Sequence, residues 1–157
     1  MTEDAFLKAY GGVYEHSPGF SAEVWRSIPH KVLDTVEGLA HALQSAVEAS
    51  SRATQLALIR AHPDLADRVR LSAESVSEQA GAGLDNCSAD ELAEFRALNH
   101  AYKARFDFPF IKAVRGFSRA EILAEFRRRA GNDPSAEFKT ALGEIHKIAL
   151  LRLNDLA

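Results

Sequence analysis

The sequence predicts an all-α fold, a single compact bundle of about seven to eight helices with an irregular middle segment. Helix-capping and helix-ending residues recur along the whole chain. Between them, apolar residues recur three or four positions apart, the spacing of one helix face. The one stretch that weakly resembles a strand, residues 108–114, contains Pro109 and has no second run with which to pair.

The composition is that of a soluble globular protein. The 157 residues are 46% hydrophobic and 26% charged, and a chain of this length fits one domain, residues 1–157. The net charge of −3 includes no long block of one sign, so neither nucleic acid nor a membrane surface is expected as a partner. An acidic start at residues 1–4 and the lack of a bilayer-length apolar run predict a cytoplasmic protein.

Two short helices are predicted first. Thr2 has a residue type that caps helices, and the helix it opens ends at the glycines of residues 11–12. Ser17 and Pro18 fit the N-cap and the first position of a second helix, which ends before Pro29.

Two further helices lead to the first residue of chemical interest. The third has an apolar stripe formed by Val36, Leu39, Ala40, Leu43 and Val47. Ser51 opens the fourth, which must stop near His62 because Pro63 disfavours the α conformation in the residue before it.

The second half combines an irregular stretch with three helices. Residues 72–80 could form a short helix, but the glycines that follow break it. Capping-box patterns at residues 88–91 and 118–121 open two helices, and the second of these ends at Gly131. Asp133 opens the last helix, whose apolar stripe consists of Phe138, Ala141, Leu142, Ile145, Ala149, Leu153 and Leu156.

Several polar residues do not fit a purely structural pattern. Arg152 lies on the apolar stripe of the last helix, so it should meet a carboxylate, extend to the surface, or face a cavity for an anionic ligand. His62 is a candidate acid or base, because both of its protonation states exist near neutrality. Its alternative role is to bond the last carbonyls of the preceding helix.

Two other segments leave alternatives open. Ser75 and Glu78 are spaced as a capping box, but with Gln79 and the glycines that follow they could equally line a polar pocket. The aromatic residues 106–111 should pack in the core, or carry backbone groups towards a ligand. The run of three arginines at residues 127–129 lies at a helix end, where cations complement the helix dipole.

No pattern in the sequence indicates a metal or a nucleotide cofactor. The histidines are scattered without the spacing of metal ligands, and no glycine-rich phosphate loop is present. Cofactor-free chemistry or plain binding therefore remain.

Four segments in this order resemble the decarboxylases of 2-oxo-4-hydroxy-4-carboxy-5-ureidoimidazoline (OHCU), which perform the last step from urate to (S)-allantoin. They are residues 11–18 (GGVYEHSP), 62–66 (HPDLA), 75–85 (SVSEQAGAGLD) and 98–116. With the helix of Arg152 they cover nearly the whole chain. The resemblance implies an all-α, typically dimeric enzyme that binds a small-molecule substrate and needs no cofactor.

The resemblance also implies the site residues. His62 would be the catalytic acid/base, with Glu78 in the catalytic set. Substrate contacts or pocket walls would come from Pro63, Ser75, Gln79, Phe110, Ile111, Ala113, Val114 and Arg152. This sequence departs from the family at Gly19, where tryptophan is frequent, and at Asp67 and Asp107, where glycine is usual.

Two other functions compete with this interpretation. A non-enzymatic helical module could use the aromatic segment and the last helix as a partner surface. An enzyme with the same pocket design could act on a different ureido compound.

Overall fold

A computed structural model describes residues 1–65 and 89–157 of the chain. These residues are mostly helical and contain no β-strand, so the all-α prediction is confirmed. Two parts of the prediction lie outside the described residues. They are residue 88, the first of the predicted capping pattern at residues 88–91, and the possible helix at residues 72–80. The elements in chain order are α1 (Glu3–Tyr10), α2 (Gly19–Ser27), a 3₁₀ helix (His30–Asp34), α3 (Val36–Ala49), α4 (Arg52–Ala61), α5 (Ala89–Phe106), α6 (Arg119–Ala130) and α7 (Pro134–Leu156).

Helix caps occur at most of the predicted positions. The Thr2 side chain accepts a hydrogen bond from the N–H of Ala5, and α1 ends at Gly11. At α6, the Ser118 hydroxyl accepts from the N–H of Glu121, whose carboxylate accepts from the N–H of Ser118. This reciprocal capping box satisfies two backbone donors that would otherwise lack helical partners.

The start of α2 and the next short element differ from the prediction. The Ser17 hydroxyl donates to the carbonyl of Glu15 at 2.9 Å, so α2 begins at Gly19 with Pro18 at the N-cap and no side-chain cap. Serine hydroxyls readily bond a nearby backbone group in this way. The 3₁₀ helix His30–Asp34 buries none of its residues, and therefore gives no apolar spacing from which to predict it.

The chain groups into two compact units, one of residues 1–61 and 142–157 (unit 1) and one of residues 62–141 (unit 2). The single-domain organisation stays a prediction. In unit 1, α1 packs on α2 and α2 packs on α3. Its most buried side chains are Phe6, Val24, Leu43, Val47, Leu58, Ile59 and Ile145.

Unit 2 is built on aromatic side chains. Helix α5 packs on α6, and Tyr102 of α5 meets the rings of Phe110 and Phe126 edge-on at 5.4 and 5.8 Å between centroids. Phe110 and Phe126 stack in parallel at 3.9 Å. These rings are almost completely buried, so burial of their apolar area stabilises unit 2.

Among the described residues, no helix combines the length and hydrophobicity needed to cross a lipid bilayer.

Candidate functional site

The turn at His62 lies directly after α4, which ends one residue before it as the sequence predicts. His62 is buried, whereas Pro63 is exposed. Asp64, which follows Pro63, is bound by two residues of α5. Lys103 Nζ lies 3.0 Å from Asp64 Oδ2, and Asn99 Nδ2 donates to the same oxygen at 3.4 Å. The histidine therefore belongs to a turn anchored to a long helix of its own unit.

Asn99 is a polar residue at this turn that the sequence reasoning did not identify as functional. Its Oδ1 is buried and accepts no hydrogen bond from the residues that the structure describes. A buried amide oxygen without a donor is costly, so it is an acceptor available to a donor group. Its only signal in the sequence is its place within the resembling segment, residues 98–116.

The segment after α5 is buried although it forms no helix or strand. Every residue from 108 to 114 is buried, including the predicted pocket residues, which are 1–8% exposed: Phe110, Ile111, Ala113 and Val114. The expectation that the aromatic residues 106–111 pack in the core is thereby confirmed. Irregular backbone at this depth needs hydrogen-bond partners from elsewhere.

Arg129 of α6 supplies one such partner. Its side chain is 0% exposed, its Nη1 donates to the carbonyl of Ile111 at 2.8 Å, and its guanidinium carbon lies 4.2 Å from the centre of the Phe110 ring. Its Nε donates to Glu137 Oε1 at 2.7 Å. The Nη2 atom lies 2.6 Å from the same oxygen, at an angle that makes no hydrogen bond.

Glu137 is the buried counter-charge of this arginine. It is 0% exposed, and its Oε1 also accepts from the Tyr102 hydroxyl at 2.5 Å, while Oε2 accepts from Asn132 Nδ2 at 3.1 Å. Burial and the bond to Glu137 raise the pKa of Tyr102 well above its ordinary value, so the phenol stays protonated. The prediction that residues 127–129 lie at a helix end is confirmed, but it did not foresee the burial of Arg129.

Lys112 brings a second cation to the same segment. Its ammonium side chain is 3% exposed, lies 2.5 Å from Glu125 Oε2 and 3.7 Å from the centre of the Phe117 ring. Burial raises the pKa of Glu125, but the hydrogen bond and charge of Lys112, together with the charges of Arg129 and Arg128, leave that pKa below its ordinary value. The segment is thus held to α6 at two neighbouring residues, by the hydrogen bond from Arg129 to the carbonyl of Ile111 and by the ion pair of Lys112 with Glu125.

Arg152 lies in unit 1, near the end of α7. Its Nη2 lies 2.6 Å from Glu15 Oε2, and its Nη1 donates to the carbonyls of Val13 and Gly12 at 3.1 and 3.4 Å. Its side chain is 37% exposed. Of the three environments that the sequence left open, Arg152 has a carboxylate partner and also retains exposed surface.

A hydrogen-bonded chain of three titratable residues, which the sequence analysis did not foresee, also lies in unit 1. The Tyr14 hydroxyl lies 2.8 Å from His146 Nδ1, and His146 Nε2 lies 2.7 Å from Glu48 Oε1. Burial, and then the charge of Glu48, raise the pKa of Tyr14 well above its ordinary value. A cavity of about 290 Å³ lies beside Tyr14 and His146. The residues that line it are Tyr14, Ala40, Leu43, Gln44, Gly143, His146, Lys147, Ala149, Leu150 and Leu153.

The remaining predicted residues divide into two groups. One group lies outside the described residues: the predicted site residues Ser75, Glu78 and Gln79, and Asp67, where the sequence departs from the family. Gly19 begins α2. Asp107 follows α5 with a φ of 62°, in the left-handed region that favours glycine, which gives a physical reason for the family's usual glycine there. Within residues 1–65 and 89–157, no cluster of His, Cys, Asp or Glu has the arrangement of a metal site.

Comparison with known proteins identifies the family. The sequence profile described as OHCU decarboxylase matches residues 1–154. The chain belongs to the OHCU decarboxylase family. A 2-oxo-4-hydroxy-4-carboxy-5-ureidoimidazoline decarboxylase of Haloferax volcanii is 42% identical over 153 residues, which are 98% of this chain and 89% of the relative.

Two solved structures are similar to this chain in fold. A crystal structure of (S)-allantoin synthase superposes with a TM-score of 0.82 at 31% identity, and covers 99% of this chain. The present chain spans about half of that protein, 51% of its length. A crystal structure of OHCU decarboxylase in the presence of (S)-allantoin has a TM-score of 0.74 at 28% identity, with 94% of this chain and 96% of that chain covered.

Proposed function

We propose that the protein decarboxylates OHCU to (S)-allantoin without a cofactor, as the last step of urate degradation. The observation that carries this proposal is the match of the OHCU decarboxylase profile to residues 1–154. The relative from Haloferax volcanii, named for this activity, is similar over 98% of this chain. The protein is then a carboxy-lyase that binds a small-molecule substrate.

The substrate's own structure makes a cofactor unnecessary. Its carboxylate is attached to a ring carbon that also carries the hydroxyl and lies next to a ring C=N bond. When the bond to the carboxylate breaks, its electron pair forms a C=C bond to the neighbouring carbon, and the C=N electrons move to the ring nitrogen, which takes up a proton. Carbon dioxide leaves and an enol remains.

The protein must then direct two proton movements. The enol hydroxyl loses its proton to become a carbonyl, and the carbon that bears the ureido group gains a proton on one face. A positioned acid/base exchanges these protons, and delivery to one face sets the handedness of the product. We assign this exchange to His62, which lies buried in the turn that Asp64 anchors to α5.

The other predicted residues orient the substrate. Arg152 offers a guanidinium for an anionic oxygen, to which it can make charge-assisted hydrogen bonds. Glu78 would bond the ureido or ring N–H groups, Gln79 would fix the ring, and Ser75 would add a hydroxyl contact. Pocket walls would come from Pro63, Phe110, Ile111, Ala113 and Val114.

A test of this function starts from urate and two upstream enzymes that generate the unstable intermediate in place. The purified protein is added, and circular dichroism follows the appearance of allantoin. We expect faster product formation with a single optical sign. Decay at the spontaneous rate to racemic allantoin would contradict the proposal and favour another ureido substrate or a binding module.

The same proposal includes a homodimer in the cytoplasm. The dimer follows the typical assembly of the family, and light scattering after size-exclusion chromatography tests it. A mass of one chain at assay concentration would exclude the dimer. Fractionation of the source cells, with detection by antibody, tests the location.

A further inference from the structure

Unit 2 contains a fully buried charge pair that the proposed chemistry does not use directly. Arg129 of α6 and Glu137 of α7 are each 0% exposed. Two buried charges are not an efficient way to stabilise a core, since apolar residues of similar volume often give equal or greater stability. The contacts of the pair suggest what it does instead.

The arginine joins the pair to the irregular segment. Its Nε donates to Glu137 at 2.7 Å and its Nη1 to the carbonyl of Ile111 at 2.8 Å. A guanidinium is planar and rigid, so the two bonds fix the direction of the Ile111 carbonyl relative to Glu137. The described residues contain no cis peptide bond. Because a trans peptide is flat, fixing this carbonyl also fixes the opposite direction of the Lys112 N–H.

The same guanidinium also contacts Phe110, the residue before Ile111. Its central carbon lies 4.2 Å from the centre of the Phe110 ring, which also stacks on Phe126 at 3.9 Å. Glu137 is held in turn by the Tyr102 hydroxyl at 2.5 Å and by Asn132 at 3.1 Å. Side chains from α5, α6 and α7 thus converge on one peptide of a segment that has no helix or strand of its own.

We infer that Arg129, held by Glu137, is a positioning residue for catalysis, because it sets the orientation of the backbone at residues 110–112. This inference rests on the proposed function, in which that backbone forms part of the substrate pocket. Arg129 is not expected to touch the substrate. A misplacement of about 1 Å in a group that orients substrate lowers catalysis about 100-fold, so precise placement of this peptide would affect the rate strongly.

The test compares three variants with the wild-type enzyme in the decarboxylation assay. Arg129→Met/Glu137→Leu removes both charges and leaves an apolar pair. Arg129→Lys keeps the charge but lacks the fork that reaches Glu137 and Ile111 together. Ile122→Val, a buried change on the same helix, is the matched control. Urea unfolding establishes the folded fraction of each protein at the assay temperature.

We expect the double variant to stay folded and to lose kcat/KM by about 10- to 100-fold. Arg129→Lys should recover part of this loss, and Ile122→Val should keep wild-type kcat/KM. Hydrogen exchange followed by mass spectrometry adds a second measurement. The amides of residues 107–117 should exchange at least about tenfold faster in the double variant, while those of α5 keep their protection.

The other outcomes overturn either the positioning role or the proposed function. A folded double variant with wild-type kcat/KM and wild-type exchange overturns the positioning role alone. A loss that merely follows the unfolded fraction in all variants shows a purely structural pair, and also overturns it. If the double variant does not fold, Arg129→Lys is the deciding variant, and wild-type kcat/KM in it would exclude the role. An inactive wild-type enzyme overturns the proposed function itself, and this role with it.

Discussion

Arg152 Nη2 lies 2.6 Å from Glu15 Oε2, so the guanidinium proposed to bind substrate is already oriented by a carboxylate of its own unit. Two backbone carbonyls of the turn before Glu15 hold the other nitrogen. Because the side chain is 37% exposed, the pair is partly screened and contributes about 0–1 kcal/mol to stability. Orientation of the guanidinium is its more important effect.

The first prediction follows from this geometry. Arg152→Leu should change the free energy of unfolding by less than about 1 kcal/mol. It should lower kcat/KM by about 10- to 150-fold, because a hydrogen bond between charged groups contributes about 1.5–3 kcal/mol. Urea unfolding and the decarboxylation assay measure the two effects. In the control Glu15→Gln, which keeps the guanidinium, activity should fall much less. A large loss of stability in Arg152→Leu with full activity would indicate a structural ion pair instead.

The second prediction concerns the buried pair of Arg129 and Glu137. Arg129→Met alone leaves an uncompensated carboxylate in the core and should cost about 3–5 kcal/mol of stability. Adding Glu137→Leu should restore most of this loss, because the stranded charge is removed. Urea unfolding of both single variants and the double variant gives the coupling energy. Additive losses would mean that the two side chains do not act as a pair.

The third prediction concerns Asp107, whose φ of 62° places it in the left-handed region at the end of α5. Asp107→Gly should be neutral or slightly stabilising, since glycine adopts this conformation without steric cost. Asp107→Val should lose about 1–2 kcal/mol relative to the glycine variant. Thermal unfolding of the two variants gives the difference. Equal stability would show that the backbone changes conformation to accommodate valine.

The fourth prediction is a pH dependence of stability caused by Glu125. Burial raises the pKa of Glu125, but the hydrogen bond and charge of Lys112 and the charges of Arg129 and Arg128 together hold it below the ordinary value of 4.5. A depressed acid contributes stability above its unfolded pKa, and loses it as the pH falls through the lower folded value. The stability gap between wild type and Glu125→Gln should therefore be widest above about pH 5 and narrow towards pH 3. A gap that is constant across urea titrations at these pH values would contradict this assignment.

Local signals in the sequence predicted most of the helices. The cap at Thr2 and the capping box at Ser118 act within a few residues, and the sequence contains all the information they need. The apolar stripe of α7 likewise follows from spacing alone, although Leu156 at its end is 55% exposed. Ser17 shows the limit of this reasoning, since its hydroxyl bonds Glu15 rather than capping a helix.

Contacts between distant residues account for what the sequence did not predict. Arg129 belongs to a run of three arginines, but it alone lies three residues after Phe126 and seven after Ile122, on the apolar face of α6. That spacing indicates its burial, whereas nothing local indicates its partners. Its bonds to Ile111 and Glu137 join residues that are 18 and 8 positions apart in the sequence. The bond between Tyr14 and His146 joins positions 132 residues apart. The predicted catalytic roles came from the family resemblance, since each residue had a structural alternative.

The most direct measurement of the central claim is the rate and handedness of allantoin formation by His62→Asn. Its matched control is His100→Asn, which replaces an exposed histidine on α5. A general acid/base contributes about 10²- to 10⁴-fold, so His62→Asn should lose that factor with its helical content unchanged, while His100→Asn keeps wild-type turnover. Full, single-handed activity in folded His62→Asn would contradict the assignment of His62 as the acid/base.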